Sequence, residues 1–589
     1  MTSRSAKKFF AYLAKSYPVM CASGAFPMMP PVTDASRWLD RLDDLSAKGI
    51  AKHVSALNGF RRDFLNEAAK SSDAETRGRA RALAMSAGAA VAELDGTRAW
   101  QRAPEFYLQV AFTGLEQAAD LPADSERHRQ KRFIARLKAI PALLSLAPQN
   151  IEAISAQSRA TSQTMIRDCA RYLTELAGQE LGKAGKAPRF LADTLAALRE
   201  FDRFVTVSPE IPGPEGPPFQ YAAEHLLCTD KGPESLRTLA EEEFDERLAS
   251  LAGLERAIGR GSWRELYEGY EGPPSDGLEP LDLIVREIHR LRAFVHEGPL
   301  AGVFADTGLR IESQPRHMGA SLRPIHHDPM LGAWENEPSR CYVSPQIFSG
   351  NRFRDTPARL ARMRREYPFL AAAQTYPGRH LLDSQRRALG NDPLSQVTNP
   401  LFMAGWLAFG ETLLEELDYL VTDLDRLVLH VRGLRRAALA RIDTELASGG
   451  LDQDRCLDIL DQAGFSARRD WPMSEPSAWP RATGPCRSSA CAKYGNCAGN
   501  GRWSCPCSAR RCSRADSCPW TPSGSAGSAR PFLREWPARG WRGCPKPRDA
   551  PPGSPSLGLT AFRSVQYYSG KIRQARSRAA LRPRPCAGS

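Results

Sequence analysis

Along most of this chain, apolar residues recur at three- and four-residue intervals, and strand-like alternation is scarce. Leu236, Leu239, Phe244, Leu248, Leu251 and Leu254 form the clearest stripe, and Pro233 stands just before it, where a first-turn proline is tolerated. Ile284, Ile288, Leu291 and Val295 form a second stripe, closed by Gly298-Pro299. Trp38, Leu42, Leu45 and Ile50 open a third. One-sided stripes of this kind predict helices packed around a core. Ser208–Pro218 and Gly272–Pro280 are too rich in Pro and Gly for regular structure and read as surface connectors. Between Gly308 and Phe348 the pattern changes to short extended pieces, such as Leu309–Gln314 and Cys341–Gln346. The expected fold class is mainly α, with a small β element.

The chain changes character near its end. Residues 471–589 carry 20 Lys plus Arg against 4 Asp plus Glu, a balance of +16. The preceding 470 residues hold 60 basic and 63 acidic residues, so the net charge of +13 belongs to the tail alone. The tail has eight residues from Leu, Ile, Val and Phe against sixteen prolines, too little apolar surface to offset the entropy of ordering. Two units follow: a helical domain over 1–468 and an Arg/Pro/Cys-rich tail over 469–589, expected to be disordered or the product of a frameshift, since translating a GC-rich gene out of frame yields such an excess. Interspersed Arg and Trp would permit nonspecific RNA contact, and the tail's nine cysteines suggest a zinc module. No C-x-x-C pair and no histidine supports the latter, and nucleic acid is not the expected partner.

The five body cysteines (Cys21, Cys169, Cys228, Cys341 and Cys456) are scattered singly, which suggests reduced thiols in a cytoplasm rather than a disulfide framework. The N-terminal apolar run is broken by Lys15 and Pro18, and Pro18-Val19-Met20 before Cys21 makes a poor lipoprotein box. No stretch reaches the apolar length of a membrane span.

The candidate chemistry lies in two segments: Ala373-Gln374-Thr375-Tyr376-Pro377-Gly378-Arg379-His380, and Met403-Ala404-Gly405-Trp406-Leu407-Ala408-Phe409-Gly410-Glu411. They resemble a bacterial family known as domain of unknown function 885, whose members look like helical zinc metallopeptidases with motifs H-E-x-Y-P-G-H-H-L and E-G-W-A-x-Y-x-E. The stretch from Tyr17 to Phe26 is similar to the family's early F-P-V-x-x-A-S-x-x-F segment. The resemblance implies a gluzincin-like helical fold, with the β element forming one wall of a substrate groove.

Intact members would bind zinc through two imidazoles and a Glu, with a second Glu as general base. Here the imidazole positions fall on Ala373 and Arg379, the base on Gln374 and the third ligand on Ala404. A third family segment, D-T-G-L-H, reads Asp443-Thr444-Glu445-Leu446-Ala447, so its His falls on Ala447. Alanine has no donor, the glutamine amide takes no proton at neutral pH, and a guanidinium has no lone pair and repels a dication. The family's Tyr is replaced by Phe409. Five vestigial positions therefore stand where the resemblance expects chemistry, and neither a catalytic residue nor a metal is expected.

Residues that keep the scaffold remain: Tyr376, Pro377, Gly378, His380, Leu381, Gly405, Trp406 and Glu411. His380 is read as a packed or hydrogen-bonded histidine rather than a relocated ligand. His326-His327-Asp328 is read as a solvated turn, since adjacent side chains on extended backbone point to opposite faces. The expectation is a metallopeptidase-like protein without hydrolytic competence. Its old groove, near Gln374, Tyr376, Arg379, His380 and Trp406, would take a peptide or small anion on Arg379. The alternatives are a zinc hydrolase with ligands displaced to His380, Glu411 or His326, and nucleic-acid binding through the tail.

Overall fold

The computed structural model describes residues 2–465 except 212–218, 224–230, 330, 332–337, 350–356 and 449–452; the tail, with its nine cysteines, lies outside the described residues. Helices dominate, in chain order α1 (Thr2–Ser16), α2 (Ala47–Lys70), α3 (Ala74–Val91), α4 (Pro104–Asp120), α5 (Glu126–Leu144), α6 (Ala156–Ala177) and α7 (Ala187–Val207). They continue as α8 (Pro233–Ile258), α9 (Trp263–Gly269), α10 (Pro280–His296), α11 (Pro357–Gln374), α12 (Arg379–Ala388), α13 (Pro400–Glu416), α14 (Asp423–Ala447) and α15 (Gln453–Gln462). Three strands, β1 (Leu309–Ser313), β2 (Ile325–Asp328) and β3 (Ser339–Val343), lie between α10 and α11 in the order β1-β3-β2. β1 runs parallel to β3 and β2 runs antiparallel to it. Among the described residues no helix is long and apolar enough to cross a membrane.

The helix boundaries have local causes. Pro233 begins α8 and Gly259, at φ +68°, ends it; Pro280 begins α10, so both long stripes are helices. The third stripe starts later than its apolar spacing implied. Ser46 caps α2 by accepting from the Gly49 N–H, so Leu42 and Leu45 precede the helix and Trp38 ends a 3-10 turn. His326-His327-Asp328 corrects the solvated-turn expectation. It is strand β2, its two imidazoles are buried, and His327 pairs in register with Cys341.

Apolar side chains form two main cores. One gathers residues of α1–α7, with Phe9, Phe10 and Leu13 of α1 fully or almost fully buried in it. The other gathers α8–α15 and the sheet. Polar contacts join the two lobes: Arg79 to Asp392 at 2.7 Å, Thr33 Oγ1 to the Leu331 carbonyl at 2.6 Å, and the Gly24 N–H to Asp328 Oδ1 at 2.7 Å. The backbone before Gly24 is pinned from within its own lobe. Asp43 accepts from Val19 N (2.8 Å) and Met20 N (3.1 Å), and the Gln117 amide donates to the carbonyls of Val19 and Ala22.

Glu411 of α13 is buried between Arg432 and Arg436 of α14, at 2.6 and 2.5 Å. Arg432 also pairs with Glu366 of α11, tying three helices together. Burial alone would raise the Glu411 pKa; the two guanidiniums outweigh burial and hold it at about 2, against an ordinary 4.5.

Two outcomes follow. Because the folded carboxyl titrates below its unfolded value, its stabilisation is complete above about pH 4.5 and lost as pH falls toward 2. Glu411→Gln should lower the unfolding free energy by about 3 kcal/mol at pH 7 and by much less in strong acid, measured by urea unfolding; equal losses at both pH values would contradict the pairing. Gly24→Ala should destabilise by about 1–3 kcal/mol in the same assay, because its Cβ would lie 2.5 Å from the His327 carbonyl oxygen.

Candidate functional site

The first motif is a break between two helices. α11 ends at Gln374, residues 375–378 turn through a cis Tyr376–Pro377 peptide, and α12 starts at Arg379. Glycine is required at 378, where a Cβ would meet the carbonyl oxygens of Ala372 and Ala373 at 2.3 Å. The second motif closes on this turn from α13. The buried Trp406 Nε1 donates to the Pro377 carbonyl at 2.8 Å and, more weakly, to that of Gly378 at 3.3 Å. Gly410 leaves room for the Pro377 ring, which a Cβ there would approach to 3.2 Å.

Behind the turn lies a buried aromatic and imidazole layer. Tyr376 donates to Asp306 Oδ1 at 3.3 Å and meets the His380 ring edge-on, with centroids 4.9 Å apart. His380 is fully buried, with Nδ1 2.7 Å from Ser339 Oγ; burial pulls its pKa down to about 4 against weaker opposition from Asp383 and Asp306. Its ring centroid lies 5.8 Å from that of His327, whose pKa is driven well below the ordinary value by burial first, then by the charges of His380, Arg379 and other neighbours. Both imidazoles are neutral at pH 7.

In front of the turn, where the two lobes meet, is a cavity of about 150 Å³. Gly24, Ala25 and Pro27 form the wall from the N-terminal lobe; Ser321, Leu322 and Arg323 form the opposite wall. His326, Gln374 and Arg379 complete the lining, which includes no carboxylate among the described residues. The Gln374 Oε1 accepts from the His327 backbone N–H at 3.2 Å. That bond fixes the amide, leaving its NH2 end as the group not engaged there. Alternation along β2 sends His326 to the cavity and His327 toward His380. Arg323, His326 and Arg379 each also have a partner within the protein.

The sequence-derived positions thus separate into three groups. Gln374 and Arg379 line the cavity, and Ala373 beside them is half-buried. Tyr376, His380 and Trp406 are buried and support the turn from behind. Ala404 instead packs against a small apolar cluster containing Leu236 and Leu401, and Ala447 is exposed at the end of α14. Of the candidate displaced ligands, His326 reaches the cavity, Glu411 is committed to two arginines, and His380 is bonded to Ser339. Among the described residues, no three or more His, Cys, Asp or Glu side chains are grouped to hold a metal ion. One imidazole, one amide and two guanidiniums do not fit the three-ligand set of a catalytic zinc.

Sequence reasoning missed the walls at 24–27 and 321–323. For the first, the Pro-Val-x-x-Ala-Ser-x-x-Phe stretch was the available signal; the second offered none.

Comparison with known proteins agrees with this architecture. No curated protein matches the chain. Two solved structures share the fold at low identity. A "putative lipoprotein" from Colwellia psychrerythraea is 12% identical with a TM-score of 0.57, covering 84% of this chain and 91% of its own. A "putative lipoprotein of unknown function" from Shewanella oneidensis is 14% identical with a TM-score of 0.55, covering 84% and 92%. The sequence profile of the bacterial proteins of unknown function DUF885 matches residues 32–471, about three quarters of the chain, which therefore belongs to that family.

Proposed function

We propose that this chain is a metallopeptidase-like family member that binds its ligand without hydrolysing it, and that the ligand presents an anionic group, such as a peptide C-terminal carboxylate, to Arg379 and Gln374. The observation that carries this reading is the lining of the inter-lobe cavity. Arg379, Arg323, His326 and the Gln374 amide contribute hydrogen-bond donors, and among the described residues no carboxylate lines the cavity. A carboxylate accepts hydrogen bonds and carries the opposite charge, and guanidinium–carboxylate pairs are among the stronger contacts available to such a site. The positions at which the family resemblance expects zinc ligands and a general base hold Ala373, Gln374, Arg379 and Ala404, so the reading derives no hydrolytic step.

A zinc hydrolase with displaced ligands is the weaker reading. It would need Glu411 to abandon Arg432 and Arg436, breaking two half-buried ion pairs to make one metal ligand. Nucleic-acid binding rests on the tail, outside the described residues. The proposal extends to a reducing cytoplasm, supported by Cys21, Cys169, Cys341 and Cys456 as buried free thiols.

The carboxylate reading is tested with N-acetyl-dialanine as the probe. Arg379→Ala and the nearly isosteric Gln374→Glu should each weaken calorimetric binding by about tenfold or more, the second by setting one carboxylate against another. Wild-type affinity in both variants, with folding confirmed by circular dichroism, would remove the cavity from consideration. The metallopeptidase-like reading has its own check: Ala373→His, Gln374→Glu, Arg379→His and Ala404→Glu combined should confer stoichiometric zinc uptake, measured by elemental analysis against wild type. A folded variant that takes up none would refute the correspondence of these four positions.

A further inference from the structure

Among the described residues, two of the segments that cross between the lobes reach the cavity. Gly24–Pro27 leave the N-terminal lobe, with the Gly24 N–H on Asp328 of β2. The connection from β1 to β2 crosses the other way. Its His317, 2% exposed, stacks on Tyr172 of α6 with ring centroids 3.8 Å apart and planes 19° from parallel. His317 Nε2 stands 3.4 Å from Glu116 Oε2 of α4, and the Tyr172 hydroxyl donates to that same oxygen at 2.8 Å. Ala320 packs against the N-terminal core.

Just beyond this anchor, Ser321, Leu322 and Arg323 form the cavity wall. The connection is internally braced. The Met318 carbonyl accepts from Ser321 N, Leu322 N and Ser321 Oγ, and the Gln314 amide donates to the Arg323 carbonyl at 3.2 Å. A segment tied to itself in this way moves as a unit, so whatever holds His317 also places Arg323.

We propose that the pairing of His317 with Glu116 is a clasp that seats residues 316–323 on the N-terminal lobe, and that its release opens the cavity between Arg323 and Gln374. The chemistry of the pair suits a reversible contact. Burial would raise the Glu116 pKa, but His317 first, then Tyr172 and Arg340, outweigh burial and keep the carboxylate ionised in the seated state. The stacked tyrosine keeps the imidazole flat, with one edge toward that carboxylate. His317, Tyr172 and Glu116 are absent from the cavity lining and act through Arg323 as positioning residues. The clasp rests on this geometry and not on what the cavity binds.

The test is hydrogen–deuterium exchange on the full ligand-free chain, followed by mass spectrometry of peptides covering 317–323. His317→Ala should speed exchange there by about tenfold, with α8 and α14 unchanged. His317→Phe keeps a ring against Tyr172 but loses the pairing, and should exchange as fast as His317→Ala. Tyr172→Phe removes only the hydroxyl bond to Glu116, a milder change expected to give about threefold. Wild-type protection of 317–323 in His317→Phe, or an equal rise across α8 and α14, would overturn the clasp. No ligand is present, so exchange decides the clasp separately from N-acetyl-dialanine binding, which decides the function of the cavity.

Discussion

A buried indole N–H must find an acceptor, and in this fold Trp406 finds the Pro377 carbonyl. That carbonyl belongs to a turn that interrupts two helices, where the backbone lacks the regular helical ladder. One bond therefore satisfies two groups that would otherwise be costly to bury. It also sets the site, because Gln374 closes the helix before the turn and Arg379 opens the helix after it. Gly410 leaves the room that lets α13 reach the turn, and Gly378 lets the turn lie against the end of α11.

This arrangement divides the motif residues into buried supports and side chains that line the cavity. Trp406, Tyr376 and His380 are almost wholly enclosed, and removing any of them would leave a void or an unmatched polar group. Glu411 is itself buried and held between two arginines, and it joins α13 to α14. Positions 374 and 379 border open volume instead. There, Gln and Arg are accommodated without repacking the core, and Gln374 has an internal task as acceptor for the His327 N–H. The side chains that hold the turn together are thus different from those that line the cavity.

Much of the helical frame was legible in the sequence, because a period of 3.6 with proline at one end and glycine at the other is a local signal; α8 and α10 both carry it. The two motif segments were legible too, whereas the β element ahead of them was implied by the family resemblance, the pattern itself showing only short extended pieces. The nature of β2 was not legible. Two histidines and an aspartate look like a polar turn, and only the sheet on one side and the packed helices on the other make their burial tolerable. The start of α2 followed a side-chain cap rather than the apolar spacing. The cavity walls were illegible for a deeper reason. Gly24 lies 350 positions before Gln374 and Arg323 lies 51 before it, and no local pattern encodes partners so remote. Ala404 and Ala447 show the converse, since matching a motif letter did not bring either into the cavity lining.

The bond from Gly24 to Asp328 spans 304 positions of chain. On a ribosome adding about 5–20 residues per second, Gly24 waits roughly 15–60 s after its own synthesis before β2 exists to receive it. Until then the loop after Ala22 is held at one end by Asp43 and Gln117, with its Asp328 acceptor not yet made. The seating of that segment is thus timed by translation rather than by the folding of the lobe that carries it.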